Sequence, residues 1–170
     1  MSAVVSIRQL SGEVRTNPLM RREAYSMSLY VAIILLSVLW VFDDDHPPAQ
    51  YEVFLVEAGA TVGLVLAHGF ASWVSTRIIG DVAEEVDPGD LLLVQIGGAL
   101  AVAGMSMLAV FVAPTSVELQ AARFTVAVTI AAMVFLETRS SHSTARAAVN
   151  GLLALAAGVF VASIKGFLSH

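Results

Sequence analysis

Apolar residues in this chain fall into five long blocks rather than into the short alternating or amphipathic runs of a soluble domain. The blocks cover Tyr25–Phe42, Tyr51–Ile79, Leu91–Val112, Leu119–Leu136 and Ala145–Leu168. Each reaches or approaches the ~20 residues that a helix needs to cross ~30 Å of hydrocarbon. The breaks between them are sharp. Asp43, Asp44, Asp45, His46, Pro47 and Pro48 end the first block, since three carboxylates and a proline pair cannot stay helical in lipid. Residues Asp81 to Asp90, with Pro88 and Gly89, separate the second from the third. Pro114-Thr115-Ser116 forms the next turn, and Thr138 to Thr144 the last. The pattern predicts an all-α polytopic integral membrane protein, a bundle of five transmembrane helices. The fourth block is the least secure, because Arg123 lies near its start; its alternative is a re-entrant or interfacial helix.

Placing the N-terminus in the cytoplasm puts Arg8, Arg15, Arg21, Arg22, Arg77, Arg139 and Arg146 inside, with only Arg123 and Lys165 outside. Basic residues gather on the cytoplasmic side of membrane proteins, so the expected topology is N-terminus in and C-terminus out. Residues 1–24 then form a cytoplasmic segment ahead of one transmembrane domain, residues 25–170. Within that segment Ser2 to Asn17 are either a surface helix with Val4, Val5 and Leu10 as its apolar side, or a mobile tail. They lack the apolar core of a signal peptide.

Composition agrees with the pattern and removes several function classes. Hydrophobic residues make up 57% and charged residues 14%, against about 45–50% and 25% in soluble domains. Net charge is −5 and the basic residues are scattered, which leaves no surface for nucleic acid. There is no cysteine, hence no disulfide, thiol nucleophile or Cys-ligated metal. Phosphate loops, H-E-x-x-H, G-x-S-x-G and dinucleotide fingerprints are all missing. Neither an enzyme nor a bound cofactor is expected.

Small residues mark packing faces. Gly59 and Gly63 form a G-x-x-x-G pair on the second helix, nearly opposite Glu57; Gly97, Ala101 and Gly104 line the third, and Ala147, Gly151, Ala154 and Gly158 the fifth.

The candidate chemistry lies on the second helix. Glu57 and His68 are eleven residues apart, which at ~100° per residue returns the side chain to within about 20° of its starting direction. Thr61, Leu64, Ser72 and Ser75 share that side, so five of six positions from Glu57 to Ser75 carry hydrogen-bonding groups. Ionisable groups inside a bilayer are costly and usually face a protein interior or a water-filled path. One reading is a proton or cation path, with Glu57 as the outer binding group, His68 as relay or gate, and Asp43, Asp44, Asp45 and His46 as an acidic vestibule. The vestibule's oxygen-rich side chains would also suit a divalent cation, although no metal is assigned. The other reading is structural packing, in which Glu57 pairs with Arg123, or less favourably with Gln95, and the protein is a membrane subunit or scaffold. Expected partners are the lipid bilayer, further copies of the chain, and on the second reading another membrane protein. The plasma (inner) membrane is the expected location.

Overall fold

The computed structural model describes residues 17–42, 48–79, 87–114, 117–141 and 143–168. They form five helices: α1 Pro18–Leu39, α2 Gln50–Ile79, α3 Pro88–Val112, α4 Glu118–Ser141 and α5 Thr144–Leu168. No strand occurs among the described residues. The protein is an all-α bundle, and four stretches are long and apolar enough to span a membrane: Pro18–Leu39, Gln50–Ala71, Gly89–Val112 and Glu118–Arg139. The fourth block is therefore a full-length helix. It is α5 whose described apolar part, Thr144–Phe160, is shorter.

Capping chemistry moves the helix boundaries away from the hydropathy boundaries. Asn17 caps α1 by accepting a hydrogen bond from Leu19 N at 2.9 Å, and Pro18 occupies the first turn, where its missing N–H costs nothing. The helix thus begins seven residues ahead of Tyr25 and includes Arg21, Arg22 and Glu23. Asp87 and Pro88 start α3 the same way, with Asp87 Oδ1 accepting from Gly89 N at 2.7 Å. Pro88 is accordingly the first residue of a helix and not part of the preceding linker. At the start of α2, the Glu52 carboxylate accepts from Ala49 N at 2.9 Å.

Helix α1 lies at the centre and packs against all four others, while α2, α3, α4 and α5 pack each on the next. Polar contacts fix the directions. Arg21 on α1 meets Glu137 near the end of α4 at 3.3 Å, and Arg123 near the start of α4 meets the last turn of α1. Gln50 donates to Val110 O at 2.9 Å, joining the start of α2 to the end of α3. Gln95 on α3 reaches Glu23 on α1, so these two helices run parallel. The core consists of Val31, Leu35, Leu36 and Leu39 of α1 against Val53, Ala99, Val102, Val110, Leu119, Val126 and Ile130. Helix α2 is the most peripheral span. Only 17% of its apolar window is buried, against 44% in α1.

Two of the expected glycine faces stand open within the subunit. Gly97, Ala101 and Gly104 are exposed, and a Cβ on Gly97 or Gly104 would meet nothing within 4 Å. The close approach is made one residue on, at Gly98, where a Cβ would stand 2.8 Å from the Ala24 carbonyl oxygen. Gly59 and Gly63 likewise face open space. On α5 the expectation holds: Gly151 lies against the Ala131 carbonyl and Gly158 against Ile130.

Candidate functional site

A run of hydroxyl and carboxyl side chains inside apolar helices must find partners locally, because lipid supplies none. Several of the hydroxyls do so within their own helix. Ser28 donates to Ala24 O, Ser37 to Ile33 O and Thr129 to Thr125 O, all one turn back at 2.7–2.8 Å. Thr61 does the same, donating to Glu57 O at 2.8 Å. Its proton is thereby committed to the backbone and not to the Glu57 carboxyl.

Glu57 cannot satisfy itself this way. It stands seven residues into α2, about 10 Å from that helix's start, and its side chain is 0% exposed. Val53 and Thr61, one turn to either side, are buried with it. The partner comes from α3. Ser106, 0% exposed, donates its hydroxyl to Glu57 Oε1 at 2.5 Å. Among the described residues nothing bonds to Glu57 Oε2. The result is a carboxyl held between two helices by one hydrogen bond, with its second oxygen left over in an apolar interior.

The partners anticipated for Glu57 are used elsewhere. Arg123 donates to Leu39 O at 3.1 and 2.9 Å and to Phe42 O at 2.9 Å, with its guanidinium 5.4 Å from the Trp40 ring centroid. It closes the C-terminal end of α1, where the last carbonyls of a helix lack intrahelical donors and a cation is favoured. Gln95 donates to Glu23 Oε2 at 3.0 Å, near the opposite end of α1.

His68 is on the predicted side of α2 but in a different environment. With Leu64, Ala67 and Ala71 it lines one wall of a recess of about 390 Å³, and Ser26, Met27 and Tyr30 of α1 line the other. Glu57 and Thr61 are not in that lining. Leu64, which borders the recess, also packs against the core cluster. The polar stripe is thus divided into an enclosed part around Glu57 and an open part around His68, with an apolar interval at Leu64 between. Asp43, Asp44, Asp45 and His46 lie outside the described residues, as do the side chains of Ser72 and Ser75.

The sequence reading missed Ser106. The signal was present: Ser106 stands eleven residues after Gln95 on α3, the same spacing that unites Glu57 and His68, and both Gln95 and Ser106 are buried. Glu118 was missed too. It is buried in the first turn of α4, where the free amides of a helix N-terminus favour a carboxylate.

No protein-family model, curated protein or solved structure matches this chain. Its function therefore has to be argued from the site itself.

Proposed function

We propose that this protein moves protons across a membrane, with Glu57 as the group that takes up and releases them. The observation that carries the reading is the fully buried Glu57 carboxyl, bonded through one oxygen to Ser106 and unpartnered at the other. A bare carboxylate is costly in such a place without a counter-charge. The choice lies between a proton and a metal cation, and the donor set favours the proton. Hard cations take six or more oxygen ligands, whereas this pocket offers two carboxyl oxygens and one hydroxyl. Among the described residues no cluster of three acidic or histidine side chains could hold a metal.

His68 is the second group on the route, since an imidazole can take a proton on one ring nitrogen and release one from the other. The apolar interval at Leu64 makes this a closed arrangement. Passage from Glu57 to His68 requires α2 to shift or water to enter. Helix α2 suits that role, as the least buried span. The topology proposed with this function has the N-terminus in the cytoplasm, the acidic vestibule Asp43–Asp45 outside, and the plasma membrane as location. Copies associate through Gly59 and Gly63, which stand open on the outer side of α2.

A second reading is a non-catalytic membrane subunit, favoured by the direct Glu57–Ser106 link between two helices. Proton flux into liposomes separates the two. The transport reading expects flux from wild type, its loss in Glu57→Gln, partial retention in Glu57→Asp and altered pH dependence in His68→Ala. Absence of flux at every pH and potential tried, with all variants intact, would leave the subunit reading.

A further inference from the structure

The recess beside His68 has a chemistry of its own, independent of Glu57. Its walls come from two helices: Ser26, Met27 and Tyr30 from α1, and Leu64, Ala67, His68 and Ala71 from α2. At about 390 Å³ it falls within the size range of small-molecule sites, ~300–1,000 Å³. Its rim is open sideways. Tyr30 is 50% exposed, and Ser26, Ala67 and Ala71 are exposed as well. Both walls belong to membrane-spanning stretches, Pro18–Leu39 and Gln50–Ala71. An occupant therefore enters from the lipid.

Depth and polarity narrow its class. Ser26 and Tyr30 lie three and seven residues beyond Glu23, the last charged residue of α1, hence about 5 and 10 Å into its apolar part. A phospholipid headgroup carries a phosphate, and the lining offers no Lys or Arg to meet it. The polar groups at this depth are the Ser26 and Tyr30 hydroxyls and the His68 imidazole, and among the described residues none is engaged in a side-chain hydrogen bond. All three can donate, and no Asp, Glu, Lys or Arg is in the lining. The complement is a neutral ligand with hydrogen-bond acceptors. Donors stand on both walls, so acceptors on opposite edges of a flat body would be met from both sides. Met27, Leu64, Ala67 and Ala71 supply apolar contact for that body.

We propose that this recess is a binding site for a membrane-dissolved carbonyl compound of the quinone type, held between the Ser26 and Tyr30 hydroxyls and the His68 imidazole. Binding alone is inferred, with no electron transfer.

The test is titration of the purified full-length protein in detergent with a decyl-substituted benzoquinone, read by quenching of tryptophan fluorescence, Trp73 being two residues from Ala71. Decylbenzene, which lacks the carbonyls and does not itself quench, is the control, its binding read by whether it displaces the quinone. Saturable binding of the quinone is expected, with no comparable binding of decylbenzene. Tyr30→Phe and His68→Leu should each weaken binding about tenfold, the size of one lost hydrogen bond, and Ala67→Phe should abolish it by filling the recess. Glu57→Gln should bind like wild type, which separates this site from the proposed proton site. Tyr30→Phe keeps the shape of the side chain, so its effect is not one of folding. Equal binding of decylbenzene, or quinone binding indifferent to all three substitutions, would show unspecific partition into an apolar surface and overturn the proposal. So would the lack of saturable binding by wild type.

Discussion

Glu57 and Ser106 depend on each other as no other polar pair among the described residues does, because both are wholly withdrawn from solvent and sit on different helices. Removing the hydroxyl in Ser106→Ala leaves a buried carboxyl with no partner among the described residues, at a cost of about 1–3 kcal/mol. The expected outcome is a lower melting temperature in detergent. Glu57→Gln keeps an acceptor for Ser106, so it should melt close to wild type while losing flux. A Ser106→Ala protein as stable as wild type would mean that the bond contributes little. At the opposite polarity, Arg123 holds the Leu39 and Phe42 carbonyls. Arg123→Leu is expected to fray that turn, seen as faster hydrogen exchange at the Trp40 and Val41 amides, which bond to Leu36 O and Val38 O. Sequence alone located Glu57, His68, Gln95 and Arg123 as intramembrane polar groups. It did not pair them correctly, since pairing depends on which helix faces which.

The elements show the same division. Helix starts at Asn17-Pro18 and Asp87-Pro88 are written in local capping chemistry and were open to being read from the chain. The inward faces were not. Helix α3 has mean hydropathy 2.0 over its spanning stretch, so it is apolar nearly all round, and the glycine stripe at Gly97 and Gly104 looked as good as its neighbour. Packing selects Gly98, pressed onto Ala24 and Ser28 of α1. Gly98→Ala should therefore destabilise the bundle, because the obstacle at 2.8 Å is backbone and cannot swing aside. Gly97→Ala, with open space around it, should be neutral or slightly stabilising. Melting temperatures of the two variants side by side check this, and equal effects would place α1 and α3 in a different register.

For the whole molecule, the central position of α1 leaves α2 at the periphery, with its Glu57 side inward and its glycine pair outward. If the outer side joins copies, Gly59→Leu and Gly63→Leu should lower the oligomeric mass measured in detergent without lowering the melting temperature of the subunit; unchanged mass would remove that interface. The sequence by itself determined a membrane bundle, the order of its five helices and the presence of a carboxyl within the second. It could do so because long apolar blocks and their charged breaks reflect the thickness of a bilayer. Only the tertiary structure decided that Ser106 holds Glu57, that Arg123 closes α1, and that an apolar interval separates Glu57 from His68. The physical reason is that lipid and protein interior are alike in polarity. Hydrophobic periodicity, which in water points to the core, carries little direction here, and orientation comes instead from close packing and from scarce polar contacts.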